Sequence, residues 1–518
     1  MRLGREHAAA LAVGVLFALG TALRLVAYVR RGALWNDEAA LAMNIVDRGW
    51  YEIAHPFTHQ QAGPYLFLIG QKLVTVVLGV SEHSLRLWPV LAGIAYLPVL
   101  YALARELGGA RAGLAALAAG VAAPLLIEYS AELKPYGNDA FVSAALILLA
   151  ARVLASAPPR EQAGRTRAEL APLVVAGVVA PWVSLPSVFV LAAIGVALVA
   201  AALVQRRGLA HLGVLAVIGA CWVGSLTIHY ASFLDITASD SVAVQRFWSE
   251  RQAFAPFPPR SVDDLRWYVG KFLYLFDLLV TPFGVGARYL AAALWFAGIW
   301  RLLEQRSPLV LVFLLPIPLV MGASAAHAYV FSHRLLLFLS AVMIVPCAHG
   351  LGLLAELRPP GSRMLASAAV LVLLGLDLGG SAQQLMRPTP PSDIRSLVAH
   401  LRASLKPQDE IFVDGEVAWI YEYYARRAGL DHPFLLTEPL DPDAHRAGKV
   451  IAAIGQAPRV WAVTPTLGPT WSHDASAAPL LAEAERFVTE RFAKRGRQLA
   501  LYDGTNVHLY LYDLSLQR

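Results

Sequence analysis

Apolar runs long enough to cross a bilayer recur from the first residues to about Gly380, and then they stop. A helix needs roughly 20 residues to cross, because every backbone polar group in hydrocarbon must be satisfied within the segment. A chain built from such runs cannot close around an ordinary core; its helices must pack side by side in lipid. Of 518 residues only 15% are charged, against ~25% in soluble domains, so most of the chain lacks the polar surface that water demands. The expected fold class is therefore mainly α: a polytopic transmembrane helical domain over 1–380, a Pro-rich linker over 381–391 and a small α/β soluble domain over 392–518.

The first run, about Ala8 to Val29, carries no charge except Arg24. It is too long for a cleaved leader and no small-x-small site closes it, so it reads as a retained span. Cys221 and Cys347 fall inside apolar runs and read as small buried residues, forming no disulfide or metal framework. The net charge of +6 is spread over short loops as Arg, which suits a membrane protein and not a nucleic-acid binder.

Eleven spans are expected, near 8–29, 88–105, 112–128, 139–155, 170–184, 186–205, 210–230, 288–302, 308–324, 335–355 and 363–380. In this register the N-terminus is cytoplasmic and the C-terminal domain lies outside. The short inner connections then carry Arg105 and Arg111; Arg152, Arg160, Arg165 and Arg167; Arg206 and Arg207; Arg301 and Arg306; Arg358 and Arg363. That is the positive-inside pattern. Two more apolar segments, 64–80 and 266–283, are interrupted by Gln71, Lys72, Lys271 and Asp277 and read as helices lying in the outer interface.

The outer loops hold the chemistry. The first contains Trp35-Asn36-Asp37-Glu38, two adjacent carboxylates at the water–lipid boundary, and then His59, Gln60, Gln61, Tyr65 and Lys72. The next holds Glu132, Lys134 and Tyr136 and runs into Asp139; a later one ends in Ser332-His333-Arg334. Sugar transfer from a lipid phosphate needs a base, cations for the departing phosphate and a dry place for the lipid stem. Asp37 and Glu38 suit the first, Lys134 and Arg334 the second, and helix walls the third. Each residue also has an ordinary reading: solvated acids, snorkelling anchors at Lys134 and Arg334, a Glu132–Lys134 pair, a surface His59, a helix-start Asp139, and belt aromatics at Tyr65 and Tyr136. Their joint placement on one face is the stronger signal.

Four motifs in order carry a family resemblance: Trp-Asn-Asp-Glu (35–38), His-Gln-Gln-Ala-Gly-Pro-Tyr (59–65), Leu-Gly-Val-Ser-Glu-His-Ser-Leu-Arg-Leu-Trp-Pro (78–89) and Tyr-Ser-Ala-Glu-Leu-Lys-Pro-Tyr (129–136). The chain resembles the integral-membrane GT-C glycosyltransferases, in the bacterial branch near protein O-mannosyltransferases, aminoarabinose transferases and rhizobial lipopolysaccharide galacturonosyltransferases. The resemblance covers residues 8–155 and, in span layout, extends to 380. It implies Asp37 as general base with Glu38 as second acid, and His59 to Tyr65 as a segment beside the donor phosphate, although Gln60-Gln61-Ala62 stand where the family has prolines. It implies Glu132, Lys134 and Tyr136 in a Glu-Ala-Arg-Pro-Tyr-like run with Lys in place of Arg, and Arg334 before a late Leu-rich helix, with Asp139 and His333 in support. The implied activity is inverting hexosyl or pentosyl transfer in the bacterial inner membrane. The donor would be a polyprenyl-phosphate-linked sugar, and the acceptor a lipid, protein or glycan on the extracytoplasmic face. Some members use a divalent metal; only Asp37, Glu38 and Asp139 suggest ligands here, so metal use stays open. A transporter, a non-catalytic scaffold and a ligase or polymerase of lipid-linked glycans are the alternatives. Against a transporter, no internal repeat is visible and the ionisable groups sit at span ends.

The tail predicts helices at 392–405 (capped by Ser392), 416–427, 443–456 and 477–494. Strands are expected at 410–414, 459–463, 497–503 and 506–513, the last two turning at Asp503-Gly504. It carries no Gly-rich phosphate loop or nucleophile motif, which leaves acceptor recognition or structural support as its role.

Overall fold

The computed structural model describes the chain apart from residues 1, 55–58, 60, 62, 156–162, 235–244, 246–247, 250, 279–284, most of 357–391, 437–456, 467–484, 487 and 516–518. Among the described residues, six helices are long and apolar enough to cross a membrane: His7–Arg30, Glu82–Ala122, Tyr136–Ala155, Ser187–Val204, Leu209–Ser232 and His333–Gly352. The chain is a multi-pass membrane protein.

The 82–122 segment is really two helices. Gly109 sits at φ 75°, a backbone setting that suits glycine, and the chain folds back there. Gly113 closes on Tyr101 and Arg105, and Gly120 on Leu100, so the two arms run antiparallel. The turn falls between Arg105 and Arg111, where a short inner connection is expected. Prolines account for several shorter elements: Pro316 divides 309–325 into Leu309–Leu314 and Pro316–Ala325, and Pro172 and Pro181 lie inside Ala163–Val183. The two interrupted apolar segments form short helices, Tyr65–Leu78 and Val262–Tyr274. Most of the expected span at 363–380 and of the linker, all of the helix at 443–456 and half of that at 477–494 lie outside the described residues; 485–486 and 488–493 of the last are helical.

The tail builds a five-stranded sheet in the order β2-β1-β3-β5-β4. β1 (Glu410–Val413) pairs in parallel with β2 (Phe434–Leu436) and β3 (Arg459–Pro465), while β5 (Val507–Asp513) runs antiparallel to β3 and to β4 (Arg497–Gly504). Two sequence expectations need correction. The β4–β5 turn is Thr505-Asn506, not Asp503-Gly504: Gly504 pairs with Val507 and Asn506 takes φ 63°. The helix expected from Ser392 runs over Ile394–Ser404 with Asp393 at its cap position. The Asp393 carboxylate instead accepts from the Thr505 N–H at 2.8 Å, tying that helix to the hairpin.

The tail is seated on the segment between the first two expected spans. Leu34, Ala39, Leu41 and Phe67 share one apolar core with Leu397, Trp419, Tyr421 and Val463. The helix Gly415–Arg427, hereafter the tail helix, is the element that meets the short helix Asn36–Val46.

Candidate active site

Trp35 is extended and precedes the helix Asn36–Val46, which places Asp37 and Glu38 in its first turn, where unpaired N–H groups favour negative charge. Glu38 reaches back to the Trp35 N–H at 3.2 Å. At the other end, Lys72 Nζ caps the helix by donating to the carbonyls of Ile45, Val46 and Arg48 at 2.9, 3.2 and 2.7 Å. The two acids therefore leave a short, doubly capped helix in different directions.

Asp37 faces two cations. Its Oδ1 lies 3.0 Å from Lys134 Nζ, and its Oδ2 lies 3.1 Å from an Arg334 guanidinium nitrogen. Gln61 closes the third side: its Nε2 donates to Asp37 Oδ1 at 3.0 Å while its Oε1 accepts from Lys134 Nζ at 2.7 Å. Arg334 is sandwiched between rings, 5.2 Å from the Trp35 centroid and 5.8 Å from that of Tyr136. Burial disfavours charge on Asp37, but Lys134 and Arg334 outweigh it and hold its pKa at about 2. Burial pushes the Lys134 amine below its ordinary value, with Asp37 opposing. The cluster holds two cations for one carboxylate, and the Asp37 side chain keeps 20% exposure, so a substrate can reach it.

Glu38 is fully buried and fully engaged. Arg86 grips it with Nε on Oε1 at 2.8 Å and Nη2 on Oε2 at 2.6 Å, and the Leu133 N–H adds a bond to Oε1 at 2.7 Å. Burial opposes its charge, yet Arg86 brings its pKa below the usual carboxylate range. Arg86 also donates to the carbonyls of Arg31, Gly32 and Ala33, so this pair fixes the loop carrying Asp37 and the Lys134 segment together. Glu132 pairs with Arg31 and not with Lys134. Burial raises its pKa to about 7 against that cation.

The remaining expected residues lie around this centre. His59 turns away from Asp37: its Nε2 lies 3.2 Å from Glu422 of the tail helix, while its carbonyl accepts from Gln61 at 3.2 Å. The Tyr65 N–H donates to His229 at 3.2 Å, and the Tyr65 ring stands edge-on to Trp182 at 6.3 Å. Tyr136 meets Tyr129 edge-on at 5.5 Å, and His333 packs between Tyr129 and Tyr274 at 6.3 and 5.8 Å. Asp139 is buried one turn beyond Tyr136. Among the described residues no three His, Cys, Asp or Glu side chains converge as metal ligands, and the oxygens of Glu38 are already taken. Asp37, Glu38 and Asp139 thus do not fit a metal centre as they stand.

A cavity of ≈ 430 Å³ lies among the helices, walled by Trp88, Leu91, Phe141, Leu146 and Val179 among others, with Asn138 its one polar side chain. Trp88 shares a helix with Arg86 and Asn138 shares one with Tyr136, and the other walls are apolar side chains of the neighbouring helices.

No known family profile matches the chain, and no curated protein does. Solved structures do. ArnT from Cupriavidus metallidurans in the apo state superposes with a TM-score of 0.56 at 14% identity, over 97% of this chain and 98% of that one. The same protein bound to undecaprenyl phosphate gives 0.54 at 14% identity over the same shares. The archaeal oligosaccharyltransferase AglB from Archaeoglobus fulgidus, complexed with an inhibitory peptide and a dolichol-phosphate, gives 0.52 at 13% identity, over 98% of this chain and 74% of that one. The chain has the GT-C fold. Three segments come together here: the 35–38 turn, the 129–138 segment and the approach to the late helix at Arg334.

Sequence reasoning missed four residues of the site. Gln61 was visible as a departure from the family's prolines, yet that departure is what bridges Asp37 and Lys134. Arg86 lay inside a quoted motif without a role. Arg31 and Glu422 carried no local signal.

Proposed function

We propose that this GT-C chain is a membrane glycosyltransferase that moves a sugar from a polyprenyl-phosphate donor to a hydroxyl-type acceptor on the extracytoplasmic face, with inversion. The observation that carries the reading is the pair of cations on one carboxylate, a base and a phosphate site within one cluster. An apolar cavity on the helices that carry Arg86 and Tyr136 suits a hydrocarbon stem, and the solved GT-C structures with undecaprenyl phosphate and dolichol-phosphate support a lipid-phosphate donor. Residues 1–380 would carry the chemistry and 392–518 would support it across the 381–391 linker. The short turn between Arg105 and Arg111 supports the cytoplasmic assignment of the opposite face.

In this reading the acceptor oxygen attacks the anomeric carbon as the bond from that carbon to the phosphate oxygen breaks. Asp37 takes the acceptor proton, and polyprenyl phosphate leaves with its new charge facing Lys134 and Arg334. Arg334 suits two phosphate oxygens at once, and Lys134 acts as a point charge. Glu38 serves the reaction by holding Arg86 and the loop.

The test is a panel of polyprenyl-phosphate sugars incubated with purified protein, scored for released polyprenyl phosphate. Release from at least one donor, dependent on Asp37, is expected; no release from any of them, with protein shown to be folded, would count against the reading.

A further inference from the structure

The tail helix holds the segment that carries Asp37 and also the His59–Gln61 segment, whose Gln61 contacts it. Asn36, its immediate neighbour, presents Oδ1 to the N–H groups of Trp419 and Ile420, each at 3.0 Å. The Leu34 N–H donates to Tyr424 Oη at 2.8 Å, and that hydroxyl donates onward to Glu82 at 2.9 Å, at the start of the helix that carries Arg86. On the other side Glu422 pairs with His59 at 3.2 Å, and the His59 ring stands edge-on to Trp419 at 6.2 Å. His59 is held at φ 65°, a left-handed setting that costs a non-glycine residue energy and persists where its surroundings enforce it. Its carbonyl is the anchor for the Gln61 amide that reaches Asp37.

We propose that the tail helix Gly415–Arg427 is a positioning element for the site, with Glu422 acting on Asp37 through His59 and Gln61 and the Asn36 contact holding the opposite flank. This goes beyond the proposed function, which gives the tail no named role, and it rests on Asp37 being the base. The tail contributes no side chain to the Asp37 cluster among the described residues; it sets where the cluster's loop sits. Lys134 and Arg334 hang from other elements, so loss of the clamp should move the base more than the phosphate site. Misplacement of a reacting group by an ångström costs on the order of 100-fold.

The test uses the full chain with Glu422→Ala, Glu422→Gln and Asp37→Asn, and a polyprenyl-phosphate sugar that the parent turns over. Glu422→Ala should lower kcat about 10- to 100-fold with KM for the donor changed by less than about two-fold, and Glu422→Gln, which still accepts from the imidazole, should recover most of it. Amide exchange should rise across 34–61 in Glu422→Ala at an unchanged melting temperature. Parental turnover by Glu422→Ala while Asp37→Asn is inactive would overturn the clamp. Turnover by Asp37→Asn would overturn the base assignment itself. Exchange needs no turnover and then decides alone: unchanged protection of 34–61 in Glu422→Ala overturns the inference.

Discussion

Glu38 and Arg86 meet as a bidentate pair inside the protein, and neither side chain is more than 1% exposed. Adjacent acids thus have opposite fates, Glu38 spent on structure and Asp37 partly exposed between Lys134 and Arg334. Glu38→Gln leaves a buried guanidinium without its counter-charge, which costs about 3–5 kcal/mol. The expected result is a large drop in melting temperature in detergent, with activity per folded molecule less affected than by loss of Asp37. A Glu38→Gln protein that melts like the parent and is inactive would move Glu38 into the chemistry.

Asp37→Asn keeps the shape of the side chain and cannot accept a proton. A positioned base contributes about 10²–10⁴-fold, so transfer in membranes at matched protein levels should fall by that factor. Near-parental transfer would remove the catalytic role of Asp37.

Lys134→Ala and Arg334→Ala should each weaken donor use by about 1.5–3 kcal/mol in kcat/KM, the range of hydrogen bonds to charged groups. Arg334→Lys retains charge but loses the planar fork between Trp35 and Tyr136, and should recover only part of the loss. If both Ala variants use a lipid-phosphate donor at the parental rate, these side chains are interfacial anchors.

Orientation can be read by labelling after Cys221 and Cys347 are replaced by Ser. Tyr51 is 78% exposed in the loop after the first expected span, and Ala110 is exposed beside the Gly109 turn. Cysteine at 51 should react with an impermeant thiol reagent in intact cells and cysteine at 110 should not. The reverse pattern would turn the site to the cytoplasm.

The tail carries a pH-sensitive contact. Burial disfavours the charged His508 imidazole, but Glu485 at 2.6 Å and Asp503 at 2.7 Å outweigh it and raise its pKa. A raised folded-state pKa gives stability that is complete below the unfolded value and is lost as pH rises through the folded one. Glu485 is lowered, chiefly by its hydrogen bond to His508, so its share fades instead as pH falls through its own folded value. The stability gap between parent and His508→Gln, followed as melting temperature against pH, should therefore be widest on the mildly acidic side of neutrality and close toward alkaline pH. A gap that widens there would show that the pair does not titrate this way.

The fold class was legible because membrane-length apolar runs and period-two strands are local patterns. Asp37, Lys134 and Arg334 were legible too, although nearly 300 residues separate the first from the last, because each ends an apolar segment on the same expected side. The turn at Thr505-Asn506 was misplaced because Asp-Gly is the stronger local signal, while strand register depends on β3. The tail's grip on the loop was invisible: the Asn36, Leu34 and His59 contacts to 419–424 join chain segments more than 360 residues apart by backbone groups and single side chains, which leave no periodic trace. Glu38 and Asp37 look equivalent in sequence, and only the direction in which each leaves the helix separates them.

In the proposed mechanism the base is masked before donor arrives, since the two cations proposed for the leaving group are paired with Asp37. A phosphate drawing Lys134 and Arg334 toward itself returns basicity to the carboxylate at that moment. On that proposal water would meet a poor base in the resting state, and the activated sugar would be committed only in a loaded site. The acid limb of the pH profile should accordingly lie higher for kcat, which reports the loaded enzyme, than for kcat/KM, which reports the free one. Coincident limbs would mean that the cations never leave Asp37.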